Sequence, residues 1–442
     1  MNFETDFFRQ PLTQYTVSSA QEEAVPPEVL YPTHPATLTF RVPKRETAFL
    51  SSRFILRTTF RIQKRTAAGA LQDIEPLDNV AGVPNIHSSM FSNAELSIQD
   101  TVVETSNSNY PLSSYVKLLM STSASVKRDV LGDTLGFFPD AAFDANSTTN
   151  LNEGRLSRRN RSLASKRFTV AGRLLFDFSN SQKLLPPSVS VTIRLDYANP
   201  KAALHAQNNN IDYQFVVDHC ELVVWWYTLS PALNTSIERR LLGGENLVYF
   251  FKRGAIGGPF SIAAGSSSFR ATLSHGRKPS ALVLWLCDPR GLINSDINWL
   301  NFHHRKLGGV QAIFEGKIYP NDGGKVDCVT EDPLTETGLS AAIWYKRLLD
   351  LCGYADEGWS PGITMAMFYT TTALFAIDLK HESLRKELAT PIEYGSLAAQ
   401  IQFQEPTERE YYLYALAIYN DTVTINPHTK TVTLSYSPGN LA

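Results

Sequence analysis

The chain is poor in the residues that mark several common classes of protein. Its 442 residues include only four cysteines, Cys220, Cys287, Cys328 and Cys352. None of them forms a CxxC pair and no histidine lies at ligand spacing, so neither a disulfide framework nor a zinc site is expected. We expect free, buried thiols in a reducing compartment.

Charge is also scarce. Charged residues make up 19% of the chain, against roughly 25% in average soluble domains. The net charge of −2 argues against a chain that binds nucleic acid through overall basicity, and no sequence-specific nucleic-acid contact is expected. A chain that covers much of its surface against other subunits needs fewer charges.

Targeting and membrane-spanning patterns are missing as well. The start, MNFETDFFRQPLTQ, has no basic residues followed by an apolar run, so we expect no signal peptide. No uninterrupted run of about 18 apolar residues occurs, and none predicts a membrane span.

Catalytic motifs are not found either. The sequence contains no GxSxG nucleophile motif and no GxxxxGK[ST] phosphate loop. The histidine pair His303-His304 stands among basic neighbours, which favours a surface loop over a metal site. We therefore predict that the chain is not an enzyme, with no catalytic, cofactor-binding or metal-binding residues and no cofactor.

What the chain does have is a period of two, which is typical of half-buried strands. Two helices interrupt it, at Tyr110–Met120 and Leu339–Tyr354, with Pro111 suited to a first turn. The predicted strands are Ala36–Val42, Phe54–Ile62, Ala94–Asp100, Phe168–Phe178, Val189–Tyr197, Tyr213–Leu229, Leu247–Ile256, Ser267–Leu273, Ala281–Asp288, Ile363–Leu379, Ser396–Phe403 and a hairpin within Tyr411–Leu434.

The order of these elements repeats. In each half, strands lead to one helix, then to a strand ending in an apolar-Asp-apolar triplet, at Phe176–Phe178 and Ile377–Leu379. An alternating strand and a long aromatic strand follow. Many short strands with turn residues between them favour sandwiches or barrels. We predict an all-β chain of two tandem eight-stranded jelly rolls, 31–230 and 231–442, with short helices in the loops.

Two segments have more than one interpretation. Residues 1–30 are either a disordered terminus or an arm that orders when it docks on a neighbour or a minor protein. A polar excursion at 121–166 carries the basic residues Arg155, Arg158, Arg159 and Arg161. These could contact phosphates, but we favour a solvated loop, or one paired with the acids of a neighbouring subunit.

Adjacent tryptophans in the long strand Tyr213–Leu229 are candidates for an interface. Because Trp225 and Trp226 are consecutive, they point to opposite faces of the sheet. One of them can be core, and the other must face another domain or subunit. We expect the pair to meet the second jelly roll or the next subunit, and Trp285, Trp299 and Trp344 to lie in the core.

Four segments together resemble the double jelly-roll major capsid proteins of Polinton/Maverick elements and adintoviruses, which are relatives of the adenovirus hexon and virophage coat proteins. In residues 91–120, a strand and a variable turn precede a Tyr-Pro pair and a short helix. Residues 176–200 form a strand-loop-strand pattern with TIRL in its second strand, and residues 211–233 form a long strand that ends in Ser-Pro. In residues 375–403, FAIDL is followed by an alternating strand. The sequence departs from the family pattern at Leu379-Lys380-His381, where the family tends to carry Leu-Thr-Pro.

The resemblance implies a structural protein of a DNA virus or a virus-like element. In that family the chains form homotrimers, and six jelly rolls give a pseudo-hexagonal capsomer of an icosahedral shell. The implied partners are neighbouring capsomers and, through the arm, minor capsid and penton proteins. The implied location is the virion, after assembly in the cytoplasm or nucleus of the host cell.

Three alternatives remain open at this point. A minor or penton-type capsid protein usually has a single jelly roll, which the repeated order disfavours. A carbohydrate- or receptor-binding β-sandwich would be expected to carry a secretory signal and clusters of acids. A cupin-type enzyme needs clustered histidine and glutamate ligands, and the nine histidines are scattered.

Overall fold

Antiparallel sheets dominate the structure, a computed structural model that describes residues 16–29, 37–140, 153–327, 339–354, 359–380, 391–438 and Leu441. The strands are β1 Val17–Val25, β2 Thr37–Val42, β3 Phe49–Leu50, β4 Ile55–Arg65, β5 Leu71–Asp73, β6 Val80–Gly82, β7 Phe91–Ile98, β8 Thr101–Thr105, β9 Phe168–Arg173, β10 Val191–Tyr197, β11 Leu204–Ala206, β12 Tyr213–Leu229, β13 Leu247–Ile262, β14 Ser268–Arg277, β15 Ala281–Cys287, β16 Leu307–Phe314, β17 Lys317–Tyr319, β18 Phe375–Asp378, β19 Tyr394–Phe403, β20 Tyr411–Asn426 and β21 Thr431–Leu434.

Short helices fill the connections between these strands. They are α1 Ile86–Ser89, α2 Tyr110–Ser121, α3 Ala124–Val126, α4 Gly132–Leu135, α5 Glu153–Ser162, α6 Pro200–Ala203, α7 Pro231–Leu242, α8 Leu339–Leu351 and α9 Met365–Thr370. A π-helical turn at Lys127–Leu131 joins α3 to α4, and 3₁₀ turns occur at Leu163–Ser165, Asp177–Ser181 and Pro289–Leu292.

The two halves share one strand order. In the first half the sheets run β1-β12-β4-β9 and β2-β10-β7-β8. In the second half they run β13-β20-β15-β18 and β14-β19-β16-β17. In both, the first and last long strands pair, and a helix-bearing insertion separates the fifth strand from the sixth. Each half is therefore an eight-stranded jelly roll, which confirms the predicted fold class.

Side-chain alternation explains why these strands pack face to face. In β10 the side chains of Val191, Ile193 and Leu195 are buried and that of Arg194 is exposed. The inward residues of both sheets of a sandwich form the core between them. By contrast, every residue of β15 is buried, so both faces of this strand are covered, and β20 and β18 pair with its two edges.

The first jelly roll begins earlier than predicted. Residues Val17–Val25, inside the predicted arm, form β1 and pair along β12 from Leu229 to Leu222. Most of this strand is exposed, so the sequence VSSAQEEAV shows no apolar alternation. The first half of the arm, residues 1–15, lies outside the described residues. The passage between the rolls is the helix α7, which starts beside the predicted switch at Ser230.

Two other predictions differ from the structure. Within the predicted strand Ile363–Leu379, residues Met365–Thr370 form α9, because the Thr364 hydroxyl caps the helix by accepting a hydrogen bond from Met367 N at 3.1 Å. The predicted strand Phe168–Phe178 stops at Arg173, and the chain turns into a 3₁₀ turn at Asp177. The triplet around Asp177 is thus a turn in the first half, whereas Asp378 ends β18 in the second.

Candidate functional site: the junction between the two jelly rolls

The two rolls exchange parts of their cores. Helix α2 belongs to the first roll, but five of its residues, Leu112, Tyr115, Val116, Leu118 and Leu119, pack in the apolar core of the second roll. In return, Tyr249 and Phe251 of β13, with Val423 and Ile425 of β20, pack in the core of the first. Burial of this kind contributes about 1.5–3 kcal/mol per large apolar side chain. The rolls are therefore joined as one block.

Polar contacts cross the same junction. The Tyr436 hydroxyl donates to Val103 O at 2.9 Å, and the Tyr249 hydroxyl donates to Leu184 O at 2.8 Å. On the other side, the Trp299 indole N–H donates to Ala202 O at 2.8 Å. Each of these donors lies in the second roll and each acceptor in the first. Trp299 is buried, as are Trp285 and Trp344, which confirms the core prediction for these three tryptophans.

A buried ionic cluster lies between α2 and the start of the second roll. The Lys117 amine lies 2.8 Å from Asp177 Oδ2 and 3.8 Å from Glu104 Oε1. Asp177 Oδ2 also accepts from Gly254 N of β13 at 2.7 Å. Glu104 accepts from the backbone N–H groups of Asp177 and Phe178 at 3.0 and 3.2 Å. The cluster thus ties the first roll's insertion to the second roll's first strand.

Burial sets the protonation of this cluster. Removal from water, together with the neighbouring carboxylate of Asp177, raises the pKa of Glu104 to about 7. Burial alone would lower the pKa of Lys117, but Asp177 and Glu104 more than offset that effect and the pKa is raised. Near neutral pH, Lys117 is therefore charged while Glu104 takes up a proton.

Glu104 makes the stability of the fold depend on pH. Its pKa is 4.5 in a free side chain and about 7 in the fold, so the folded state holds a proton that the unfolded state has lost between these values. Its contribution to stability is therefore fully present below pH 4.5 and is lost as the pH rises through 7. We expect Glu104→Gln to remove about 2 kcal/mol of the decrease in unfolding free energy between pH 5.5 and 7.5.

Urea unfolding measured at several pH values tests this expectation. A matched control is Glu46→Gln, since Glu46 is exposed on the loop after β2; this variant should keep the wild-type slope. An unchanged slope in Glu104→Gln would show that Glu104 is not the group that takes up the proton.

A second ionic cluster lies at the same end of the second roll. Asp421 is buried and accepts from Arg253 Nε at 2.7 Å and from an Arg277 terminal nitrogen at 2.6 Å. The Arg253 guanidinium lies over the rings of Tyr419 and Tyr436, at 5.2 and 4.6 Å from their centroids. Aromatic faces attract cations in this arrangement. The stacking holds Tyr436 where its hydroxyl reaches the first roll.

The predicted basic loop is a helix, and its arginines point inward. Arg158 of α5 pairs with buried Asp140 at 2.7 Å and donates to Gly82 O at 2.7 Å and to Phe138 O. Asp140 in turn accepts from the Asn298 amide of the second roll at 2.6 Å. Burial would raise the pKa of Asp140, but Arg158 more than offsets that effect and the pKa is lowered. A solvated loop is therefore the wrong prediction for Arg158.

The other three arginines of this group are also held within the chain. Arg155 is buried and donates to Asn79 O at 3.3 Å, and Arg159 donates to Pro76 O at 2.7 Å. Arg161 pairs with Asp133 and lies 5.0 Å over the Phe138 ring. Hence α5 fastens the long insertion of the first roll to its own sheet. This arrangement leaves no aligned row of free guanidinium groups on α5 for phosphates.

The adjacent tryptophans lie on opposite faces, as expected. Trp226 is 3% exposed and lies in the core of the first roll. Its indole N–H donates to Glu23 Oε2 of β1 at 2.7 Å, and the Arg45 guanidinium lies 5.0 Å over its ring. Trp225 is half-buried on the outer face of the sheet, opposite Glu22. Of the pair, only Trp225 offers ring surface to a subunit outside.

Among the residues that the structure describes, no group of three or more His, Cys, Asp or Glu side chains could hold a metal ion. Within the same residues, no helix is long and apolar enough to cross a bilayer. What the site does physically is lock two jelly rolls together with buried apolar contacts and ion pairs.

Solved structures share this arrangement of two rolls. A chain of the Sputnik virophage cryo-EM structure matches 99% of this chain and 92% of its own, with a TM-score of 0.64 and 12% identity. The mavirus major capsid protein matches 98% of this chain and 93% of its own, with a TM-score of 0.54 and 11% identity. The chain has the double jelly-roll fold.

A third structure supports the same fold. The double jelly roll of the Faustovirus major capsid protein matches 94% of this chain and 92% of its own, with a TM-score of 0.55 and 8% identity. No protein-family model and no curated protein matches the sequence. At these identities the double jelly-roll fold is what the likeness establishes, over nearly the whole of each chain.

Sequence reasoning missed the residues that hold the double jelly roll together. Glu104, Lys117 and Asp177 lie far apart in sequence, and only the triplet around Asp177 was singled out. Asp140 lies in the LGFFPDAAFD segment, where nothing marks it as the partner of Arg158. No signal within the segment marks these arginines as buried, because the partners of Arg158 are Asp140 and the carbonyl of Gly82 from other parts of the chain.

Proposed function

We propose that the chain is a major capsid protein, a structural building block of an icosahedral shell of a DNA virus or virus-like element. The observation that carries the proposal is the fusion of two jelly rolls of one strand order into a single block. Similarity to the mavirus and Faustovirus major capsid proteins along the chain supports it. The role requires rigidity and extended contact surfaces and no catalytic group.

The block suits a homotrimer. Three chains of two rolls each place six sandwiches around a threefold axis, which gives a pseudo-hexagonal outline that can tile a shell beside neighbouring capsomers. Closed cyclic symmetry is the usual form of such assemblies, and obligate interfaces commonly bury more than about 2,000 Å². Trp225 is the candidate anchor for this interface, because aromatic side chains dominate the energetics of such contacts.

Other contacts in the proposed shell involve the start of the chain. Residues 17–25 are used as β1, so residues 1–15 are the part available for minor capsid or penton proteins. The net charge of −2 fits a wall that leaves condensation of the genome to other proteins. The proposed location is the virion, with assembly inside the host cell.

The assembly state of the purified protein tests the proposal. We expect sedimentation to give a mass of about 148 kDa, three times the chain mass of 49.2 kDa, and electron microscopy to show particles of hexagonal outline. A stable monomer at micromolar concentration would contradict the trimer, and a pentameric ring would favour a penton-type protein.

A further inference from the structure

An apolar groove lies along the junction between the rolls. It has a volume of about 600 Å³, within the range of roughly 300–1,000 Å³ that is typical of ligand sites. The first roll contributes Leu118, Leu131 and Leu175 to its lining, and the second roll contributes Leu416 and Ile418. Along one edge, Val126 is 39% exposed. The groove is therefore an apolar surface shared by the two rolls that no described side chain fills.

The rim of the groove is cationic. Arg173 at the end of β9 and Lys252 of β13 both line it. Neither side chain has an ion pair or hydrogen bond among the described residues. Burial lowers the pKa of Arg173, and the nearby Arg53 guanidinium lowers it further. Lys117 and Asp177 also line the groove, but they pair with each other. A carboxylate placed beside Arg173 would favour its charged form.

An exposed row leads along β13 to this rim. Val248 and Phe250 are 47% and 52% exposed and lie on the same face of the strand as Lys252. The row begins near the first roll. The amine of Lys183, a residue of the first roll, donates to Val248 O at 2.7 Å, and nearby Leu185 forms a β-bridge with Leu50 of β3. Two large apolar side chains in line with a cationic groove form a track for an extended peptide.

The start of the chain has matching chemistry. Residues 1–15 lie outside the described residues, and Phe3-Glu4-Thr5-Asp6-Phe7-Phe8 within them combines three phenylalanines with two acids. The described chain begins at Thr16, whose carbonyl accepts from Ser230 N at 3.0 Å at the end of β12. Residues 9–15 separate Phe8 from Thr16, and these eight residue steps span at most about 28 Å when extended.

We propose that residues 3–8 of the chain bind in the groove at the junction of its own two rolls. The phenylalanines fill the apolar floor, and Glu4 and Asp6 lie between Lys252 and Arg173. Because the segment is tethered, its effective concentration at the groove is on the order of millimolar, so a weak contact suffices. The contact would exist in a single chain before assembly, and a minor capsid or penton protein would have to displace the segment or bind the rest of residues 1–15.

Hydrogen exchange on the full-length chain tests the occupancy. The variant Phe3→Ser/Phe7→Ser/Phe8→Ser removes the apolar contacts and leaves β1 intact. We expect amides of 118–135 and 173–177 to exchange at least about tenfold faster in this variant, while β16 and β19 in the second roll are unchanged. The control Thr13→Ser should behave as the wild type. Equal exchange in the triple variant and the wild type would overturn the proposal.

A charge swap tests the register. Lys252→Glu places an acid beside Glu4 and Asp6, and we expect it to speed exchange at the groove by about fivefold. Adding Glu4→Lys should restore protection, because the pair at position 252 is then reversed while Asp6 still faces Arg173. The control Lys44→Glu changes an exposed lysine on the loop after β2 and should have no effect. Failure of the swap to restore protection would overturn the proposed pairing.

Co-expression separates a chain's own segment from a neighbour's. The phenylalanine variant is produced together with the Lys252→Glu variant, one of them isotopically labelled. If the segment binds within its own chain, the groove of the phenylalanine variant stays unprotected in the mixture. Restored protection would mean that a second copy supplies the segment, which would overturn the intramolecular contact.

Discussion

Replacing Asp140 with alanine will lower the free energy of unfolding by about 3–5 kcal/mol, because it leaves a buried guanidinium without its carboxylate. The Arg158 side chain is 3% exposed and that of Asp140 is 0% exposed, so water cannot take the place of the lost partner. The substitution also removes the acceptor of the Asn298 amide. Both the fastening of α5 and the contact between the rolls are weakened at once.

Urea unfolding at pH 7 measures this effect. Asp129→Ala is the matched control, since Asp129 lies in the same insertion as Asp140 and forms an exposed ion pair with Arg128. The unfolding midpoint of this control should equal that of the wild type. Asp140→Asn keeps the shape and an acceptor oxygen, and should fall between the wild type and Asp140→Ala. Similar midpoints for Asp140→Ala and Asp129→Ala would mean that Arg158 does not depend on its carboxylate.

The same pair shows where sequence reasoning reaches its limit. The arginines of α5 were recognised as a cluster, but RLSRRNRS has no apolar stripe, so the segment was interpreted as a loop. The helix forms because Arg155 and Arg158 are buried against backbone carbonyls and Asp140. These partners are tertiary, and helix propensity or periodicity within the segment carries no trace of them.

Strands and helices with strong local patterns were predicted closely. The strand Tyr213–Leu229 has the predicted bounds, and the helix predicted at Tyr110–Met120 ends one residue later. Both are apolar runs with local start or stop residues, such as Pro111 and Pro231. By contrast, β1 was missed because VSSAQEEAV is an exposed edge strand that is recognisable only by its pairing with β12.

The order of elements also carried information that single elements did not. The insertion before β9 and the insertion before β18 both contain a helix of about three turns, so the repeat was visible although the two halves share little identity. Topology follows from such an order because connections in jelly rolls are constrained. The packing of α2 into the opposite roll was not predictable, since an apolar helix face does not specify which core it fills.

Adjacent substitutions at the tryptophan pair will separate folding from assembly. Trp226→Ala should lower the free energy of unfolding by about 3–5 kcal/mol, because it empties part of the first core, removes the hydrogen bond to Glu23 and removes the ring on which Arg45 stacks. Since β1 is an exposed edge strand held by this contact, we expect hydrogen exchange in Val17–Val25 to rise most.

Trp225→Ala, one residue away on the outer face, should change that free energy far less and weaken association of the proposed trimer by at least about tenfold. Urea unfolding and sedimentation at matched concentrations measure the two effects, because the apparent stability of an oligomer varies with concentration. If Trp225→Ala associates like the wild type, Trp225 lies outside the subunit contact. If Trp226→Ala unfolds like the wild type, the indole does not fasten β1 to the first roll. The backbone pairing with β12 and the contacts of Arg45 with Gln21 and Glu23 are then enough to hold the first strand.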